Sequence, residues 1–321
     1  MHALAVAAEI LVAGAIVSFI GARLIERAHP PRGRFVDIGG LRQHAVELGA
    51  AEPTAPPLVL IHGAGCNLED MRLALGERLA ARYRVILIDR AGLGWSERRS
   101  RGGGSPAYQA AVLRDVLDRL GVARAVIVGH SWGGALATSF ALDFPDRVAG
   151  LVLLAPPLYP LNRSMTWLYT LFATPIFGWL YAHTLALPLG LPFIGVGLGS
   201  AFLPQWPPRH YLKRTAALLL LRPSTFLANA RDVAGLRAFH MREAQRYPTL
   251  SMPGVIMTGG RDMVVAPRQH AFAFAAAVPR AKLVVLPDIG HMLHHAATER
   301  VIAEIEDLRA RDYSPPTPSP T

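Results

Sequence analysis

Residues 129–134 read GHSWGG, a serine held between glycines at the end of the apolar run ARAVIVGH. A serine hydroxyl is a poor nucleophile at neutral pH. To attack a carbonyl it needs a base to take its proton, an acid to orient that base, and donors for the developing oxyanion. Ser131 stands between a buried strand and a helix expected to begin at Trp132, with Gly129 and Gly133 permitting the tight turn of a G-x-S-x-G elbow. The helix start also favours negative charge at that point.

The other parts are read from the ends of the remaining apolar strands. The elbow supplies one oxyanion donor, the amide of Trp132. The segment LIHGAG at 60–65 ends an earlier strand and offers a second, the amide of Ala64, with Gly65 as its alternative. VIMTGGRD places Asp262 in the loop after a late strand, which makes it the candidate acid. Asp288 is the alternative, and at the end of the final strand it reads more readily as a turn residue. LPDIGHM places His291 just past that final strand, where ligands gather in open α/β sheets, so His291 is the candidate base. His294 and His295 follow on a helix where partial exposure is expected.

These residues need a scaffold that brings strand ends together. PLVLIHG, RVILID, AVIVGH, GLVLLAP, GVIMTGG and KLVVLPD are short aliphatic runs alternating with helical stretches such as YQAAVLRDVLDRLG and RVIAEIEDLRARD. That pattern predicts strands buried on both faces in a largely parallel sheet, an α/β fold. RFVDIGGLRQHAVELG predicts a hairpin at Gly39–Gly40 before it. The alternation stops between 157 and 248, a stretch rich in Leu, Phe, Trp, Tyr and Pro. Prolines at 175, 188 and 192 argue against a second membrane span and for an inserted helical lid.

Ala3–Ala22 carries only Glu9 as a charge and, as a helix rising ~1.5 Å per residue, covers roughly 30 Å, the thickness of a bilayer core. Arg23, Arg27, Arg32 and Arg34 follow it and no Lys or Arg precedes it, which places the C-terminal side in the cytoplasm. A cleaved signal peptide would have a basic n-region and an A-x-A site, which are missing; a buried amphipathic helix is the third reading. The expected layout is an anchor and linker at 1–30, a core at 31–156 and 249–311, a lid at 157–248 and a proline-rich disordered tail at 312–321.

Composition bounds the chemistry. Hydrophobic residues make up 51% and charged residues 17%, a balance that argues for a packed or membrane-associated protein and against general disorder. The net charge of +10 comes from dispersed arginines without interleaved aromatics, so anionic lipid is a better partner than nucleic acid. The single cysteine, Cys66, forms no intramolecular disulfide and reads as a small buried hydrophobe. HMLHH at 291–295 has no carboxylate or cysteine nearby at metal spacing, so no metal and no cofactor are expected.

With these motifs in hand, residues from about 34 to 310 resemble the α/β-hydrolase superfamily, of the capped, serine-nucleophile, esterase and haloperoxidase-like kind. His62-Gly63 is similar to that family's oxyanion loop, DRAGLGWS from Asp89 to Ser96 to its DxxGxGxS segment, and Gly260-Arg261-Asp262 and Gly290-His291 to its acid and base elements. The order Ser131, Asp262, His291 is the family's order. The resemblance implies a mostly parallel eight-stranded sheet flanked by helices, with a cap. Epoxide hydrolases and haloalkane dehalogenases in this superfamily carry aspartate as nucleophile, so those activities are disfavoured. What remains is hydrolysis of a carboxylic ester, carbon–carbon cleavage beside a ketone, or a cofactor-free peroxidase-like reaction; a slow receptor on the same fold is the reading of another class. DRAGLGWSE could shape the pocket edge and close a turn, but a purely structural role is the preferred reading. Trp167, Tyr169, Phe172, Phe177, Trp179 and Tyr181 are expected either to line an apolar pocket or touch lipid, or to pack the lid on the core. With the anchor, they point to a small lipophilic ester reached from the membrane.

Overall fold

The structure, a computed structural model, describes residues 2–49, 55–99 and 103–312. Eight strands form one sheet in the order β1-β2-β4-β3-β5-β6-β7-β8. They are β1 (Arg34–Asp37), β2 (Arg42–Leu48), β3 (Leu58–Ile61), β4 (Val85–Ile88), β5 (Ala125–His130), β6 (Val148–Leu154), β7 (Gly254–Gly259) and β8 (Ala281–Leu286). The β1/β2 and β2/β4 pairs are antiparallel and every other pair is parallel, as the aliphatic runs predict. β1 and β2 turn at Gly39 and Gly40, whose φ values of 68° and 82° lie where glycine alone is unstrained.

The central strands are aliphatic because both faces are covered. Val59, Ile61, Ile86 and Ile127 enter one core under α4 (Pro106–Arg119) and α5 (Trp132–Asp143). Leu58, Leu60, Val126 and Val128 enter the other. That second face is covered by α2 (Leu68–Met71), its π-helical continuation Arg72–Gly76 into α3 (Glu77–Leu79), and the C-terminal α13 (Thr298–Asp312). α4 is held at its start by Ser105, whose hydroxyl accepts the Tyr108 amide at 3.2 Å, with Pro106 in the first turn.

Between β6 and β7 the chain leaves the sheet for α6 (Arg163–Phe172), α7 (Pro175–Thr184), α8 (Ala186–Ser200), α9 (Tyr211–Arg214) and α10 (Pro223–Glu243). β7 leads to α11 (Ala273–Ala277), and β8 to α12 (Leu293–Ala296). The N-terminal α1 (His2–Ala28) is long and apolar enough to cross a bilayer, a property that an anchor and a signal sequence share. The tail expected to be disordered lies, from residue 313 on, outside the described residues.

One buried cluster ties the cap helix α10 to the core. Asp232 accepts from Arg90 at 2.7 Å and also pairs with Arg98, and all three side chains are buried. Gln109 donates to the same carboxylate at 3.2 Å. Asp232→Ala would leave two buried guanidiniums without their anion, so unfolding free energy is expected to fall by about 3–5 kcal/mol. Urea denaturation followed by circular dichroism measures this; a loss below about 1 kcal/mol would show that the pair is not structurally required.

Candidate active site

Ser131 sits between β5 and α5 with φ 49° and ψ −122°, a positive φ that costs a non-glycine residue about 1–3 kcal/mol. Its amide donates to the Leu154 carbonyl at 2.8 Å, and its own carbonyl accepts the Gly134 amide at 2.7 Å. The turn is tight enough that a Cβ on Gly133 would lie 2.6 Å from the His62 carbonyl oxygen, and one on Gly129 would strike the Gly133 carbonyl. These collisions explain why the serine is flanked by glycines.

Asp262 and His291 meet although 29 residues separate them. The Asp262 Oδ1 accepts the Val264 and Val265 amides, both at 2.8 Å, which fixes the carboxylate. Its Oδ2 accepts from His291 Nδ1 at 2.8 Å, in a pair whose side chains are 0% and 5% exposed. His291 Nε2 is the nitrogen left for proton exchange. Asp288, the alternative acid, is on the surface paired with Arg261.

Ser131 and His291 line one cavity of about 570 Å³ together with Ala64. The Gly65 amide is bonded to Asn229 Oδ1 at 2.7 Å and is thereby committed, whereas Ala64 lines the cavity of Ser131. Trp132 is the first residue of α5, so its amide has no partner within the helix. The loop before Ala64 is held by His62, whose Nδ1 donates to the Gly63 carbonyl at 2.9 Å and whose Nε2 accepts the Arg90 amide at 3.0 Å. Burial, with Arg90 adjacent, lowers this imidazole to about 4 and keeps it neutral. Arg90 also lies over the Trp132 ring at 4.0 Å, joining the two donor-bearing segments.

One expectation needs correction. His294 is fully buried, not partly exposed, because Asp70 on α2 reaches it: His294 Nε2 donates to Asp70 Oδ2 at 3.0 Å and His295 Nε2 to Oδ1 at 2.7 Å. Tyr211 of the cap donates to Oδ1 at 2.8 Å. A carboxylate absent from the neighbourhood of HMLHH in sequence is thus supplied from more than 200 residues away. Among the described residues Asp70, His294 and His295 gather their ligand atoms within 4.8 Å of one another, and the three hydrogen bonds onto Asp70 account for that closeness. Burial raises the Asp70 carboxyl, but the two imidazoles outweigh it and hold it well below the usual range.

DRAGLGWSE, for which the structural reading is preferred, does not edge the Ser131 cavity. Gly92, Gly94, Trp95, Ser96 and Glu97 line a different cavity, of about 790 Å³, that includes none of Ser131, Asp262 or His291. Asp89 within it is structural, accepting the Leu68 and Trp95 amides at 2.8 Å and His44 Nδ1 at 2.7 Å. The cap aromatics divide between the readings left open for them. Tyr169 lines the Ser131 cavity, whereas Phe172, Phe177 and Tyr181 pack on one another and Trp167 and Trp179 face outward. Cys66 is half-buried in the cavity wall, and desolvation pushes its thiol well up, which leaves it inert. Asn229, Asp70 and Asp232 carry no local motif that marks them.

Several buried imidazoles make acid sensitivity a property of the fold. Burial lowers His62 and His270 to about 4 and His240 to about 3, and also lowers His130 and His294. The unfolded chain takes up protons at these groups below roughly pH 6.5 while the folded chain does not, so their contribution is full above that pH and is lost as pH falls toward 4. His44, raised by its bond to Asp89 against the effect of burial, acts in the opposite sense. With five groups against one, the melting temperature is expected to be lower at pH 5 than at pH 7.5; calorimetry showing equal or greater stability at pH 5 would contradict this.

A serine at a strained strand-to-helix turn, sharing a cavity with an imidazole held by a buried carboxylate, is the arrangement that acyl transfer by an activated hydroxyl requires. Comparison with known proteins identifies the fold family. The description "alpha/beta hydrolase fold" matches residues 56–297. An uncharacterized protein of Mycobacterium tuberculosis (strain ATCC 25618 / H37Rv) is 30% identical over 297 residues, covering 88% of this chain and 83% of that protein. An esterase from Thermogutta terrifontis superposes with a TM-score of 0.70 at 23% identity, over 88% of this chain and 100% of that one. A membrane phospholipase A described as a bacterial virulence factor gives 0.69 at 22% identity, over 95% and 96%. The chain belongs to the alpha/beta hydrolase fold family.

Proposed function

We propose that the chain is a serine hydrolase that cleaves a lipophilic carboxylic ester through an acyl-enzyme. The observation that carries this reading is the buried Asp262–His291 bond of 2.8 Å ending in the wall of the cavity that holds Ser131. In the first half-reaction His291 Nε2 takes the Ser131 proton as the oxygen attacks the ester carbonyl, and the amides of Ala64 and Trp132 hold the oxyanion. The tetrahedral adduct collapses, and His291 returns the proton to the departing alcohol. Water, deprotonated by the same imidazole, then attacks the acyl-enzyme, and His291 returns that proton to the departing Ser131 oxygen as the acid is released.

The substrate class follows from the cavity wall. Leu168, Tyr169, Phe193, Ile194, Leu198 and Phe226 are among its lining residues, and no Arg or Lys is present among them. Such a wall suits a neutral acyl chain better than the acidic dienoate of a carbon–carbon hydrolase, whose carboxylates would need cationic partners. In this reading α1 spans the membrane once, with Arg23 and Arg27 at its cytoplasmic end, and delivers the catalytic part to the cytoplasmic face.

A panel of p-nitrophenyl esters of increasing acyl length tests the activity. Turnover rising from short to medium chains supports a lipophilic ester; no turnover at any length, with no labelling by a fluorophosphonate, supports the receptor reading instead. Fractionation of full-length protein and of a form lacking residues 1–30 tests the anchor, which fails if the full-length chain is recovered as soluble protein.

A further inference from the structure

α1 does not stand apart from the cap. It packs on α7 and α8. Gly14, Ser18 and Gly21 form the contact: a Cβ at Gly14 would strike the Thr184 carbonyl oxygen, Ser18 Oγ donates to that oxygen at 3.4 Å, and a Cβ at Gly21 would lie 3.0 Å from the Leu187 side chain. Small residues at this spacing let helix backbones approach closely. The remaining faces of α1 are uncovered, with Leu4 78% and Phe19 64% exposed.

This packing fixes a depth. Gly14 lies eight residues before Ala22, the end of the apolar run, or ~12 Å along the helix. Ser18, bonded to the same Thr184 oxygen, lies four residues before Ala22, or ~6 Å, so if α1 crosses the bilayer the α7–α8 junction at Thr184 is held ~6–12 Å inside the hydrocarbon, not above it. The cap is built for that place. Residues 164–208 contain no Asp, Glu, Lys or Arg. The bend of 78° between α7 and α8 leaves the backbone bonded, with Leu185 N donating to Tyr181 O at 2.8 Å and Leu189 N to Leu185 O at 3.0 Å. Polar side chains close on their own helix: Thr184 Oγ1 donates to Leu180 O at 2.7 Å and His183 Nδ1 to Trp179 O at 2.8 Å. Hydrocarbon demands that economy of unpaired polar groups. Charge returns on both sides of the contact, at Arg23 and Arg27 after the span and at Arg209, Lys213 and Arg214 after the cap stretch, suited to anionic head groups.

α8 has two apolar faces. Leu189 and Val196 point outward, 50% and 72% exposed, Gly190, Ile194 and Gly197 line the cavity of Ser131, and Phe193, 68% exposed, also borders that cavity. We propose that α7–α8 is a re-entrant hairpin set in the cytoplasmic leaflet, and that the acyl chain of a leaflet lipid passes beside α8 to Ser131 without crossing water. The placement rests on α1 as a span, and the acyl route rests on the hydrolase reading given above.

The test uses the full chain with Cys66→Ser, carrying a nitroxide at Leu180→Cys, one turn before Thr184 on α7 and 38% exposed, or, as a reference on α1, at Ile16→Cys. Each is reconstituted in vesicles of phosphatidylethanolamine and phosphatidylglycerol. Accessibility to oxygen and to a water-soluble nickel chelate reports the depth of each label. Both labels are expected to be oxygen-rich and shielded from nickel. A Leu180 label open to nickel beside a shielded Ile16 label overturns the hairpin while leaving the anchor; nickel access at both overturns the anchor and the hairpin together. A second arm uses Ile176→Asp, at a residue 85% exposed on α7 and outside the cavity lining. It is expected to slow hydrolysis of a vesicle-resident lipid ester at least tenfold and to leave a short soluble ester within twofold; equal rates on both esters overturn the leaflet route. If the wild-type protein hydrolyses neither ester while its labels are shielded, the acyl route falls with the hydrolase reading and the placement stands.

Discussion

Ser131→Ala is expected to lower kcat on a p-nitrophenyl ester by at least ~10⁴-fold, or about 5.5 kcal/mol of transition-state stabilisation, with little change in KM. The substitution removes one oxygen and nothing else the site uses. His291 stays bonded to Asp262, and the apolar cavity wall is untouched. Residual hydrolysis would come from the Ala64 and Trp132 amides acting on water attack, a contribution that persists when the attacking group is lost. Relief of the positive φ is not expected, because alanine meets the same constraint as serine there. Steady-state kinetics together with a melting curve separate the two effects: a stable protein that retains more than about a tenth of its activity would contradict the assignment of Ser131.

Asp262→Asn is the second large effect, an expected loss of ~10³–10⁴ in kcat at neutral pH with the fold retained. The native carboxylate has two jobs, and asparagine can do only one. Its Oδ1 accepts two backbone amides, from Val264 and Val265, while Oδ2 accepts from His291 Nδ1. An asparagine oriented to satisfy the two amides presents its NH₂ to His291 Nδ1, which must then accept. That forces the proton onto Nε2, the nitrogen that must be free to act as base. Measured kcat should therefore fall far more than stability. A variant that keeps its rate within tenfold would show that Asp262 is not the orienting group.

The parts of the molecule legible in the sequence are those set by local pattern. Leu58–Ile61, Val85–Ile88, Ala125–His130 and Val148–Leu154 are aliphatic because each is buried on both faces, and the same burial fixes their place in a parallel sheet. The Gly39–Gly40 turn is readable for a similar reason, since its backbone demands glycine. Ser131 stands out because two glycines are needed where Cβ atoms would collide. Asp262 and His291 are found by their position at strand ends. Residues whose meaning comes from a distant partner carry no such mark. Asp70 looks like any helix-start aspartate until α12 and Tyr211 arrive beside it, and His294 reads as half-exposed for the same reason. Asn229 and Asp232 lie in a cap helix with a mixed pattern, yet one takes up the Gly65 amide and the other holds two arginines. The cap aromatics share one composition and divide into lining, packing and exposed groups only once α6, α7 and α8 are folded.

The most direct test of Ser131 as the nucleophile is the mass of the protein after exposure to a fluorophosphonate, followed by peptide mapping. An activated serine is expected to take up one phosphonyl group per chain, mapped to Ser131, with ester hydrolysis lost in step with labelling. Adduct formation at another residue, or hydrolysis that survives complete labelling of Ser131, would contradict the account.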